Sequence, residues 1–176
     1  GLVKGASKGE GLGNKFLANI RETNAIIHVL RCFEDDNIVH VDGSVDPVRD
    51  KETIDFELQI KDLETITKIR DKNIRTAKSG NKDAQKIVSS LEKYITHLES
   101  GQSARSLDAT EGDLDVISDL HLLTAKPILY VCNVDENTMK SGNKHVDAVR
   151  ELVKYEDAEI LLIATAIESE IADLDD

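Results

Sequence analysis

Helical periodicity fills the middle of this chain, between stretches that read as buried β-strands, and any fold has to accommodate both. Ala84, Val88, Leu91, Ile95 and Leu98 follow one another at intervals of 4, 3, 4 and 3. That spacing keeps apolar side chains on the seam of a helix that packs against another helix. Upstream, Phe56, Ile60, Leu63, Ile74 and Ala77 form a second heptad seam; Thr67 and Arg70 interrupt it, and Ile66 and Ile69 stand in beside them. Ser79-Gly80-Asn81 supplies a turn between the two periods, and Gly101 a stop for the second. The pattern predicts an antiparallel helical hairpin whose first arm covers 50–78. The less regular segment 102–125 predicts one more short helix near 114–123.

On either side the period changes. Residues 25–32 (AIIHVLRC), 128–134 (ILYVCNV) and 159–165 (EILLIAT) are short apolar runs bounded by polar residues, the signature of buried strands. Residues 14–23 and 146–155 carry apolar residues on one helical face, and an acidic helix start follows 165. Strand–helix alternation predicts an α/β fold with a parallel sheet covered by helices on both faces. The hairpin interrupts it between the first and second strands. The expected division is 1–48, an inserted helical region 49–124, and 125–176.

Composition narrows the core and the partners. Of 176 residues, 40% are hydrophobic but only 3% aromatic, and Trp is absent, so the core must come from Ile, Leu, Val and Ala. The formal charge of −12 argues against nucleic-acid binding by the whole surface. Cys32 and Cys132 sit in apolar runs and read as small core residues, with no metal-ligand spacing. No apolar stretch is long enough to cross a bilayer and none reads as a secretory leader, so a cytoplasmic protein without a membrane partner is expected. The first residue is Gly1, and the glycine- and lysine-rich opening reads as the interior of a longer protein, so a fragment is expected.

Few short patterns carry chemistry. Gly9, Gly11 and Gly13 precede a helix, but no strand leads into them and no Gly-Lys-Ser/Thr follows, so a mobile loop suits them better than a phosphate cradle. Asn133-Val134-Asp135-Glu136 directly follows a strand, where ligands bind in open α/β sheets. There a carboxylate can accept hydrogen bonds from a base edge, or the residues simply form a polar turn. Thr165-Ala166 ends the last strand with small residues that admit a planar ligand or allow tight packing. His40 is a lone histidine, most simply structural. Residues 68–82 are less ordinary: Lys68, Arg70, Lys72, Arg75, Lys78 and Lys82 face Asp71 as the single carboxylate. A solvated helix face mixes signs, so this asymmetry at the hairpin tip points to a polyanion such as RNA.

Taken together, GLVKGASKGEGLGNKFLANIRE, HVLRCFEDDNIVHV, KPILYVCNVDE and ATAIESEIADL resemble the Obg-like ATPase (YchF) family, within the translation-factor branch of P-loop NTPases. The resemblance covers nearly all of the α/β part and, with less sequence detail, the position of the helical insertion. It implies a partial G-domain-like sheet with an inserted antiparallel hairpin. It also implies ATP, or GTP less readily, with Mg²⁺ as cofactors of the intact protein, association with the ribosome and its RNA, and a monomer.

Residue by residue, the resemblance makes Gly1 the glycine of an Asp-x-x-Gly motif that senses the γ-phosphate. Leu2 then occupies the place where related GTPases carry a water-orienting Gln, which Leu cannot replace chemically. His40 matches a family histidine able to take over that role. Asn133, Val134 and Glu136 match the base-recognition motif. Related GTPases have Asp where Glu136 stands, and the extra methylene agrees with a preference for ATP. Thr165 and Ala166 match the loop behind the base. The family's phosphate loop, its Mg²⁺-binding Thr loop and its C-terminal domain have no match here, so these residues by themselves are expected to be inactive and to hold no metal. An Obg-type GTPase and a non-catalytic, ribosome-docking helical module are the alternatives. The first differs in base preference, and the second in lacking any phosphate loop upstream.

Overall fold

In the computed structural model the described residues are 4–5, 8, 13–35 and 43–164. They form five α-helices and three strands: α1 Gly13–Arg21, β1 Ile26–Arg31, α2 Pro47–Lys78, α3 Lys82–Glu99, α4 Glu111–Ile117, β2 Ile128–Asn133, α5 Lys144–Val153 and β3 Glu159–Ile163. The chain divides into two compact units. One comprises Gly1–Asn24 and Thr53–Lys126, the other Ala25–Glu52 and Pro127–Asp176.

The second unit is built on a parallel sheet in the order β1-β2-β3, in register from Ile26 opposite Ile128 to Asn133 opposite Ile163. One face carries Leu30, Tyr130, Cys132, Ile160 and Leu162, and it packs against Val146, Val149 and Val153 of α5. Cys32 and Cys132 are free and buried in this layer. Their mutual hydrogen bond and burial push the Cys32 thiol far above its ordinary range. The first turn of α2 contributes Lys51, whose buried ammonium lies 3.3 Å from Glu156 and over the Tyr130 ring; Tyr130 donates to Glu156 at 2.8 Å.

Period-2 alternation puts apolar residues on the opposite face too, where Ile27, Val29 and Leu161 are 65%, 58% and 52% exposed. The helix start expected after 165 lies outside the described residues.

The first unit is the helical one. α2 and α3 are joined by a turn at 79–81 in which Gly80 takes φ +95°, a left-handed value that costs a glycine little. Asn81 caps α3 by accepting from the Ala84 N–H. Gly101, at φ +82°, follows the helix end as expected. The arms run antiparallel: Gln85 donates to the Ala77 carbonyl near the tip, and Gln59 donates to the Gly101 carbonyl and the Ser103 hydroxyl at the base. Between them Ile66 packs with Leu91, Tyr94, Ile95 and Leu98.

The first arm follows its expected seam in part: Ile66 and Ala77 are buried and Leu63 and Ile69 pack against the same cluster. Phe56 is exposed, while Leu58, Asp62, Ile66 and Ala77 are buried. The inward stripe holds a carboxylate, which a hydrophobic count passes over. Asp62 is fully buried because it accepts from the Leu123 N–H at 2.8 Å and from the Thr124 N–H and hydroxyl, each at 2.7 Å. The expected helix near 114–123 is shorter and earlier. A capping box between Thr110 and Asp113 starts α4, and the chain leaves it after Ile117. The Asp113 carboxylate also receives the Ser90 hydroxyl at 2.6 Å and the Lys93 ammonium at 2.9 Å, which hold it well below the usual carboxylate range.

α1 groups with this helical unit. Arg21 donates to the Thr65 hydroxyl, the Gly5 N–H to Glu57, and the Lys126 ammonium to the carbonyls of Arg21 and Thr23.

Candidate functional site

Open α/β sheets bind ligands at the carboxyl ends of their strands, where backbone groups run out of ladder partners. Here β1, β2 and β3 end side by side at Arg31, Asn133 and Ile163. Two further bonds extend the ladder by one residue: Cys32 N–H to the Asn133 carbonyl and Val134 N–H to the Ile163 carbonyl, both 2.8 Å. Beyond them the chain enters the loop 134–143.

That loop is braced at both ends by side chains. Asp135 caps the 3-10 turn Glu136–Thr138, accepting the Thr138 N–H at 2.9 Å and its hydroxyl at 2.6 Å. The Glu136 carboxylate is thereby presented, exposed, on the first residue of the turn. At the other end Asn143 does two things. Its Oδ1 accepts the Val146 N–H and caps α5, and its Nδ2 donates to the Cys32 carbonyl at 2.7 Å. Next to it His145 and Lys144 approach the Glu34 carboxylate at 3.2 and 3.7 Å and hold it below its ordinary range, His145 contributing most.

Of the residues singled out for base recognition, Asn133 is the last residue of β2 and Glu136 stands on this loop. Val134 does not present its side chain. It is 2% exposed and lies in the core under α5, because alternation puts it on the same face as Tyr130 and Cys132. Only its backbone remains for a ligand. Gly1, Leu2, His40, Thr165 and Ala166 lie outside the described residues. Among the described residues, no three His, Cys, Asp or Glu side chains are grouped to hold a metal ion. Sequence reasoning passed over Asp135 and Asn143, although each is a cap-forming residue directly before a helical turn.

The second candidate surface is the hairpin tip. Lys68 is paired with Glu64 at 2.6 Å and Arg70 with Asp71 at 2.8 Å. Lys72, Arg75, Lys78 and Lys82 are exposed and form no ion pair among the described residues. Two of the six cations are thus partly neutralised by neighbours on their own helix, and four project their charge into solvent. No helix of the described residues is long and apolar enough to cross a membrane.

Known proteins match the chain along its whole length. It is 50% identical to the Ribosome-binding ATPase YchF of Bacillus subtilis, over 99% of this chain and 48% of the relative. It is 47% identical to the protein of that name from Escherichia coli O157:H7, over 100% and 48%. The Obg-like ATPase 1 of Oryza sativa is 40% identical over 99% and 45%. The solved structure of the Schizosaccharomyces pombe YchF GTPase superposes with a TM-score of 0.81 at 33% identity, covering 97% of this chain and 48% of that one. No protein-family model matches the sequence. The chain spans about half the length of the curated relatives it matches.

Proposed function

We propose, on the premise that this chain belongs to the YchF family of Obg-like ATPases, that it supplies the base-recognition loops and the helical arm of a ribosome-associated P-loop NTPase. The protein of the relatives' full length binds ATP with Mg²⁺ and hydrolyses it, with GTP the poorer substrate. It works in the cytoplasm as a monomer, with the ribosome and its RNA as partner. In that reading residues 1–48 and 125–176 serve the nucleotide and 49–124 serve the ribosome. The observation that carries it is the loop after β2, braced by Asp135 and Asn143, which presents Glu136 just beyond Asn133 at the strand end. Glu136 faces the base edge, Asn133 braces the loops around it, and Thr165 and Ala166 back it. Gly1 senses the γ-phosphate. Leu2, unable to orient water, leaves that task to His40.

A second reading, GTP as the preferred substrate, is favoured by the word GTPase in the name of the Schizosaccharomyces pombe structure. Substitution at Glu136 separates the two. In the full-length protein Glu136→Asp shifts preference toward GTP by about tenfold. A carboxylate one methylene shorter reaches both N–H donors of guanine, and a well-placed bidentate pair discriminates by about 1–3 kcal/mol. Competition between ATP and GTP measures the ratio, and an unchanged ratio removes Glu136 from specificity.

For catalysis the expected signature is a split between turnover and binding. His40→Ala lowers kcat about tenfold or more, as loss of a positioned group does, and leaves nucleotide affinity near wild type. Single-turnover hydrolysis with a parallel binding titration reads both quantities. Normal turnover in the variant assigns His40 to structure.

A further inference from the structure

The N-terminus of α5 does more than start a helix. Three consecutive residues, Asn143, Lys144 and His145, reach back to the segment that follows β1. The Asn143 Nδ2 donates to the Cys32 carbonyl at 2.7 Å. That carbonyl belongs to a fully buried residue and is the next acceptor along the β1–β2 ladder, so a side chain from the far end of the loop satisfies it. The His145 Nε2 lies 3.2 Å from the Glu34 carboxylate and the Lys144 ammonium 3.7 Å from it. Arg31 shapes the same segment from the other side. Its guanidinium donates to the carbonyls of Phe33 and Asp35 and lies 4.7 Å over the Phe33 ring. Little slack separates this clasp from Glu136. Asp135 caps the turn Glu136–Thr138, and the Gly142 N–H donates to the Thr138 carbonyl at 2.8 Å. Gly142 takes φ +69°, a left-handed value, and leads directly into Asn143.

We infer, resting on the reading of Glu136 as the residue at the base edge, that this clasp sets base specificity, with Asn143 as its positioning residue. A carboxylate one methylene longer than that of Asp excludes guanine only while its backbone cannot retreat. A loop released at its far end retreats, and Glu136 then accepts from both N–H donors of guanine. Stability alone does not call for these contacts. The side chains of Lys144 and Glu34 are 77% and 66% exposed, and exposed ion pairs contribute little to folding. Capping α5 needs only the Asn143 Oδ1, and the Nδ2 bond to Cys32 is additional. Because the two ends of one amide have separate tasks, a single substitution separates them. Asn143→Asp keeps an efficient cap, but it has no donor for the Cys32 carbonyl and sets a carboxylate oxygen against it.

The test is competition binding to the full-length protein by ATP, by GTP and by inorganic tripolyphosphate, which has no base. Asn143→Asp is expected to lower the ATP:GTP affinity ratio about fivefold, the low end of what a bidentate base contact discriminates, and to leave tripolyphosphate affinity near wild type. A merely structural defect would weaken all three ligands together, and that result overturns the assignment to the base. Glu136→Ala is measured in parallel. If Glu136→Ala changes the ratio and Asn143→Asp does not, the clasp is overturned and the reading of Glu136 stands. If Glu136→Ala leaves the ratio unchanged, that reading falls and the clasp with it. Far-ultraviolet circular dichroism checks the fold. If Asn143→Asp is unfolded, Glu34→Ala at an exposed position takes its place, because it removes the contacts of both Lys144 and His145. A ratio lowered about threefold is then expected, and an unchanged ratio overturns the clasp.

Discussion

Asp62→Ala destabilises the helical unit by about 3–5 kcal/mol, because it strands buried donors at about 1–3 kcal/mol each. The amides of Leu123 and Thr124 have no other acceptor within the ring of bonds that Asp62 closes, and the Thr124 hydroxyl, which also accepts the Ala104 N–H, loses its own partner. The loss is local first: faster amide exchange at Leu123 and Thr124, then a lower unfolding midpoint. A midpoint within a degree of wild type would show that the clamp is dispensable.

The same residue makes a pH prediction of definite sign. Burial raises the Asp62 pKa above 3.8, the hydrogen bonds from Thr124 and Leu123 only partly offsetting it. A carboxyl whose folded pKa is raised contributes stability that is complete below its unfolded pKa and is lost as pH rises through the folded value. Wild type should therefore gain on Asp62→Ala as pH falls from neutral toward 3.8. Asp113 acts in the opposite sense, since its pKa is depressed by Ser90 and Lys93, and its contribution is lost only below 3.8. The two windows do not overlap, so thermal melts across this range separate them. A wild-type advantage that shrinks on acidification above pH 3.8 contradicts the assignment.

Replacing Arg70, Lys72, Arg75 and Lys78 by Gln weakens ribosome binding of the full-length protein by about two to three orders of magnitude near physiological salt, at about 0.7–0.9 of a decade of slope per phosphate contact. Gln keeps helix propensity, so the arm itself survives. Within the set Arg70 contributes least, because Asp71 already holds its guanidinium. Lys72, Arg75 and Lys78 dominate. Co-sedimentation across a salt series reads both affinity and slope. Equal sedimentation of wild type and variant at every salt concentration leaves the charges as a solubility device for an exposed hairpin.

Much of the architecture is legible in the residues because it is local. The strands at 25–32 and 128–134, the turn at Ser79-Gly80-Asn81 and the seam of α3 each follow from a repeat of two or of three to four residues. So does the placement of Asn133 at the end of β2 and of Glu136 just beyond it. The failures share one cause. Phe56 and Asp62 exchange the roles their polarity suggests, since a carboxylate is stable inside when two amides and a hydroxyl surround it, and those come from residues 61 and 62 positions away.

Periodicity and turn chemistry alone determined that the described residues make a parallel sheet with a helical hairpin inserted between its first and second strands. Tertiary structure decided which apolar face of the strands receives α5. It also decided that α1 joins the helical unit, through donors such as Arg21 and Lys126 that must find carbonyls and hydroxyls distant in sequence. A repeat specifies which side chains share a face; only the partners brought together by folding specify what that face meets, because burial and hydrogen-bond satisfaction are properties of the pair.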